Sequence, residues 1–165
     1  ENSVILWRNN IAMKKIILSA LSTLAFCAAA FAAEAWMSDY AAAVASAKKA
    51  DKPVLVLFTG SDWCPPCMYM ERNVFPSKEF AAFAEKNLVL VKVEFLRNSP
   101  QPDAVRAANS ALAEKFGIAG FPTIVILSPD GKEIARRVGG APLKEFMAWL
   151  EQAVKPAPKA AAPAA

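Results

Sequence analysis

The stretch "PVLVLFTGSDWCPPC", residues 53–67, decides how the rest of the chain is read. Val54 to Thr59 are strand-prone and apolar on both faces up to Phe58, the pattern of a central strand covered on both sides. Glycine and polar residues end that run. Pro65 and Pro66 then occupy positions where the first turn of a helix tolerates a missing N–H, and Pro65 biases Cys64 away from helical angles. The predicted unit is strand, turn and helix, with Cys64 as cap and Cys67 one turn deeper.

Three readings compete for this pair. A staple spanning so few residues closes almost no loop and removes little unfolded-state entropy. A metal site needs more ligands than two thiols, and the chain contains no histidine and, besides this pair, only Cys27. A two-coordinate Cu(I) site is the metal reading still open. The redox reading accounts for more of the neighbourhood. At a helix mouth the first sulfur meets unpaired N–H groups and the positive end of the helix dipole, which favour the thiolate, the species that attacks disulfides. Cys64 is then the exposed nucleophile, and Cys67 resolves the mixed disulfide. The missing histidine also excludes Ser-His-Asp triads and Cys/His nucleophile pairs.

Working outward, "SDYAAAVASAKK" (38–49) reads as a helix stopped by "DKP". The helix opened by the cysteine pair runs to about Val74 and bends or breaks at Pro76. It resumes at "SKEFAAFAEKN" with Ser77 as cap. "LVLVKVEF" (88–95) is a second strand and "LRNSPQPD" a loop ending in a cap at Asp103. A helix over 104–116 closes at Gly117. "PTIVIL" and "KEIARRV", joined by "SPDG", form a hairpin, and a last helix spans about 142–154. Strands alternating with helices, followed by a hairpin, predict an α/β domain: a mixed four-stranded sheet with helices on both faces.

The 165 residues, 55% of them hydrophobic, suit one core. From Met13, "MKKIILSALSTLAFCAAAFAAEA" has the order of a secretory signal, with cleavage after Ala32. Cys27 is filler in its apolar run, and residues 1–12 precede the initiator. An uncleaved anchor over 16–33 is the alternative. The predicted organisation is an extension and signal over 1–32, a domain over 33–154 and a disordered Pro/Ala-rich tail over 155–165. Ahead of Ala33 lie Glu1, Arg8, Lys14 and Lys15, so the mature chain carries 16 basic and 14 acidic residues with mixed signs. No nucleic-acid footprint is visible. In an oxidising compartment Cys64 and Cys67 have only each other.

"SDWCPPC" after a strand, followed by "GFPT" and a hairpin, resembles the thioredoxin-like superfamily over about residues 36–154. It is most similar to secreted domains and to the C-terminal periplasmic domain of transmembrane disulfide reductases. The resemblance implies a thioredoxin fold and a periplasmic or secreted, monomeric thiol-disulfide oxidoreductase. Such a protein reduces protein disulfides without a cofactor and is recharged by a membrane electron donor. The rival reading is a thioredoxin-like binding module or Cu(I) carrier with little turnover. The resemblance also implies that Pro122 follows a cis bond and lies against the sulfurs, and that the Phe121 backbone pairs with an extended substrate. On the residues alone, Pro122 serves equally as a trans strand starter.

The family's buried aspartate six residues before the first cysteine is absent, because Phe58 stands there. By resemblance Glu71, four residues after Cys67, is a modulator of its pKa; read without the resemblance, it is a solvated helix residue. Lys92 and Glu94 alternate on one strand face as an exposed ion pair. Trp63 and Tyr69 read either as packing or, for Trp63, as a shield and docking surface at the helix entrance.

The prolines carry a test. Pro65 and Pro66 delete two donors to the Cys64 sulfur. Pro65→Gly is therefore expected to lower the Cys64 pKa and make the couple more oxidising, as read by thiol alkylation against pH and by equilibration with glutathione. An unchanged or higher pKa in the variant counts against the effect.

Overall fold

A computed structural model describes residues 36–155. The expected signal segment and the tail beyond Lys155 lie outside the described residues. Among the described residues there are five strands: β1 (Trp36–Met37), β2 (Val54–Thr59), β3 (Val89–Glu94), β4 (Thr123–Leu127) and β5 (Glu133–Val138). The helices are α1 (Tyr40–Ala50), α2 (Pro65–Asn73), α3 (Lys78–Asn87), α4 (Asp103–Lys115) and α5 (Leu143–Ala153).

The strands form one mixed sheet in the order β1-β3-β2-β4-β5. It has five strands rather than the four expected. The extra strand, β1, is two residues long and pairs in parallel with Leu90 and Val91 at the edge, too short to produce a periodic pattern. β2 lies at the centre, parallel to β3 and antiparallel to β4, and β4–β5 is the expected hairpin.

The double-sided apolar pattern of β2 has a direct cause. Leu55 and Leu57 pack with Met70 of α2, Phe80 of α3 and Phe146 of α5. Val54, Val56 and Phe58 face the other way, toward Ala43 and Ala47 of α1 and Leu112 of α4. All six β2 residues are buried. Helices thus cover both faces of the sheet, the arrangement that permits a strand with no polar side.

The caps follow local chemistry. Asp39 accepts from Ala42 N at 3.0 Å to start α1. Ser77 accepts from Phe80 N at 3.2 Å to start α3 after the break, as expected. Asp103 is not a cap. Pro102 takes that position and Asp103 is the first helical residue, bonded instead to Arg106 at 2.6 Å. A proline at the boundary brings its own fixed φ and leaves the acidic side chain inside the first turn. Past α4, Gly117 adopts a φ of 59°, the left-handed angle that a glycine helix stop provides.

Two register pairs position the end of the sheet that carries the cysteines. Thr59 lies opposite Glu94 of β3, and Phe58 opposite Thr123 of β4. The C-terminal end of β2 therefore meets the end of β3 on one side and the residues just before β4 on the other. Glu94 is half-buried at this junction. Asn109 Nδ2 and Gln101 Nε2 donate to its backbone carbonyl at 2.8 and 3.2 Å. Burial pushes its carboxyl above the ordinary glutamate range and the Glu71 charge adds to the push, while Ser61 and Lys92 oppose it.

The folded state thus holds the Glu94 proton more tightly than the unfolded chain does. The associated stability is present at acid pH and is lost as pH rises through the folded pKa. Glu94→Gln, which keeps an acceptor for Ser61, is expected to gain thermal stability over the wild type progressively as pH rises from the ordinary glutamate range through the raised folded pKa of Glu94. Parallel melting-temperature profiles for the two proteins would contradict this.

Candidate active site

At the end of β2 the chain turns within four residues. Gly60 O accepts from Trp63 N at 3.3 Å and from Cys64 N at 2.9 Å. Cys64 occupies the N-cap of α2 at φ −93° and ψ 109°, with Pro65 and Pro66 in the first turn. Met68 N donates to Cys64 O at 3.0 Å, closing that turn. Cys64 and Cys67 form a disulfide. The antiparallel pairing of β2 with β4 brings Phe121 and Pro122 to the same place. Their peptide bond is cis, and Cys64 Sγ lies 3.6 Å from Phe121 O.

In this oxidised form Cys64 is only 4% exposed and Cys67 1%. Cys64 is therefore not the exposed sulfur expected of the nucleophile. The Phe121 carbonyl stands against it, and the Trp63 ring packs edge-on to Phe121 at 5.9 Å. Pro65 and Pro66 are exposed on the surface around the sulfurs. Gly140 passes close to Pro66, where a Cβ would come within 3.2 Å of both its Cβ and its carbonyl oxygen. Tyr69 lies exposed on α2.

The charged residues pair differently from the sequence expectation. Lys92 Nζ donates to Glu71 Oε2 at 2.9 Å, with side chains 24% and 23% exposed, so Lys92 and Glu94 are not an exposed pair and Glu71 is not a freely solvated helix residue. The cause is the register. Lys92 pairs with Leu57, and Leu57 faces α2, so the Lys92 side chain meets the helix that carries Glu71. Lys92 also lies 5.3 Å from the centre of the Trp36 ring. Glu71 Oε1 and Thr59 Oγ1 are buried without a hydrogen-bond partner among the described residues. Glu94 Oε2 accepts from Ser61 Oγ at 2.8 Å. Phe58 faces away from α2, its ring centre 5.7 Å from that of Phe116, so an apolar ring fills the place of the absent aspartate.

Several residues that shape the site carry no signal in the sequence. Gly60 lies flat under Trp63, where a Cβ would be 2.5 Å from the indole. Trp63 Nε1 donates to Phe95 O at 2.6 Å, and the Arg97 guanidinium lies 3.4 Å from the ring centre. Asp62 accepts from Arg97 N at 3.1 Å and Asn98 N at 2.8 Å, while Asn98 Nδ2 donates to Asp62 O at 2.7 Å. Against the opposing effect of desolvation, these N–H groups hold the Asp62 carboxyl below the usual aspartate range. Asp62 and Arg97 are 35 residues apart, and no pattern in the sequence connects them. Only the parallel β2–β3 pairing does. Among the described residues, no three Cys, Asp or Glu side chains converge as a metal-ligand set.

A disulfide bond reductase, DsbH of Chlamydia pneumoniae, is 37% identical over 105 residues, which is 64% of this chain and 63% of that relative. The chain spans a smaller share, 29% and 15%, of longer relatives such as the thioredoxin-related protein DsbJ of Chlamydia pneumoniae and the interchange protein DsbD of Haemophilus influenzae. A solved DsbH oxidoreductase superposes with a TM-score of 0.64 at 34% identity, covering 72% of this chain and 83% of that one. The reduced C-terminal domain of Neisseria meningitidis DsbD superposes at 0.55 with 25% identity, covering 71% and 97%. The thioredoxin-like domain family matches residues 40–154. A CxxC disulfide at a helix mouth against a cis proline, on a sheet of this topology, agrees with that match, and the chain belongs to the thioredoxin-like domain family.

Proposed function

We propose that the chain is a thiol-disulfide oxidoreductase that reduces protein disulfides, in the periplasm or after secretion, once the segment over 1–32 is removed. The observation that carries the reading is the contact of Cys64 Sγ, at the mouth of α2, with the Phe121–Pro122 unit. A client disulfide laid along Phe121 arrives beside a sulfur that the helix terminus favours as thiolate.

The Cys64 thiolate attacks one client sulfur. A Cys64–client disulfide forms, and the other client sulfur leaves as a thiolate that takes a proton from solvent. Cys67 then gives its thiol proton to solvent and its thiolate attacks Cys64, forming the Cys64–Cys67 bond and releasing the second client sulfur as a thiolate that is protonated in turn. Two electrons pass to the client. The dithiol is restored by an equivalent exchange with a membrane electron donor, whose own dithiol is oxidised as the Cys64–Cys67 bond is reduced. The reductase name of the Chlamydia relative supports this direction.

Glu71 acts as a positioning residue for charge near Cys67. Its pairing with Lys92 offsets its negative field, which supports a damped rather than a full effect of Glu71 on Cys67 one helical turn away. Trp63, Pro65 and Pro66 shape the rim on which the client docks.

Reduced protein mixed with insulin is expected to precipitate its chains. Cys64→Ser is expected to lose about two orders of magnitude or more of this activity, and Cys67→Ser to accumulate a covalent client adduct released by dithiothreitol. Adduct formation through Cys67 in the Cys64→Ser protein would reverse the roles. Stoichiometric Cu(I) retention without turnover would identify a binding module instead.

A further inference from the structure

The turn before α2, the loop after β3, the start of α4 and Phe121 line an open hollow of about 250 Å³, which reaches the disulfide through Phe121, the residue whose carbonyl meets Cys64 Sγ. Trp63, Phe95 and Phe121 form an aromatic wall, and Arg97, Arg106 and Gln101 contribute its polar rim. Pockets for whole small molecules run from about 300 to 1,000 Å³, so this one suits one or two side chains. Its place is informative. Phe121 belongs both to the wall and to the contact with Cys64 Sγ, so a peptide whose sulfur reaches Cys64 along Phe121 brings a neighbouring side chain to the hollow.

The hollow is lined by two arginines and no carboxylate. Arg97 makes no ion pair among the described residues and is held against Trp63 by the Asp62 clasp on its own backbone. Asp62 directs its oxygens at the backbone N–H groups of Arg97 and Asn98 and makes no bond to the guanidinium. A guanidinium stacked on an indole keeps its N–H edge available for a carboxylate. Arg106 is paired with Asp103, but the two side chains are 61% and 91% exposed, and such a pair is readily exchanged.

We propose that this hollow is a specificity subsite for a carboxylate side chain flanking the client disulfide, with Arg97 as the recognising group. The inference rests on the oxidoreductase reading and adds a preference to it: clients with Glu or Asp next to the cysteine are reduced faster.

Three cystine peptides that differ only in Glu, Gln or Lys beside the cysteine test it, with kcat/KM measured for reduction by the dithiol protein and insulin as control substrate. The expected order is Glu above Gln above Lys, about threefold or more per step, narrowing at high salt. Arg97→Glu is expected to invert the order and Arg97→Lys to retain it. Equal rates for the three peptides, or an Arg97→Glu protein slowed by one common factor on all of them, overturn the subsite while leaving the activity intact. Failure to reduce both insulin and the peptides removes the activity and the subsite together.

Discussion

The antiparallel pairing of Phe58 with Thr123 is the constraint on which the site depends. It lays the end of β2 beside the start of β4, so the turn that leads to Cys64 and the cis bond that leads to Thr123 must share one small region. The register is itself fixed by burial. A shift by one residue would exchange Leu57 and Phe58 between the two apolar layers, each closed by its own helices. The parallel pairing of Thr59 with Glu94 does the same on the other side, bringing Phe95 and Arg97 to Trp63. Three segments distant in sequence thus meet around the Trp63–Cys64 turn because of one central strand.

What that sulfur experiences is set by a few groups. The helix mouth favours negative charge, but Pro65 and Pro66 remove two of the donors that would otherwise point at it. Trp63 and Phe121 exclude water on one side. On the sheet face that α2 covers, the carboxylate of Glu71 is tied to Lys92, and Glu94 is bonded to Ser61 with its proton affinity raised by burial. On the Phe58 side of the sheet the neighbouring polar side chain is Thr123, whose hydroxyl donates to Gly120 O, and no carboxylate stands at the Phe58 position. Acid–base groups on the α2 face are therefore carboxylates engaged by neighbours, unlike the single buried aspartate of the resembling family.

Much of this was legible in the residues. The unbroken apolar run of β2 specified a strand covered on both sides, and the structure places helices there. Ser77 announced the restart of a helix after Pro76, and "SPDG" the hairpin. The cysteine spacing and the two prolines placed Cys64 at a helix cap. What was not legible depends on contacts between segments. β1 has only two residues and exists because the edge of β3 offers partners. Lys92 alternates with Glu94 in sequence, but its partner comes from α2 across the layer. The burial of Cys64 depends on Phe121, 57 residues away, and the stacking of Arg97 on Trp63 on a loop whose path is set by Asp62.

The chemistry turns on how the Cys64 sulfur ionises in the reduced protein. Alkylation rates of the two thiols, followed separately across pH by mass spectrometry, measure this directly. A helix-mouth thiolate predicts that Cys64 reacts first, with an inflection below the free-thiol value of about 8.5, while Cys67 stays protected. Two cysteines reacting at similar rates with ordinary inflections would contradict it.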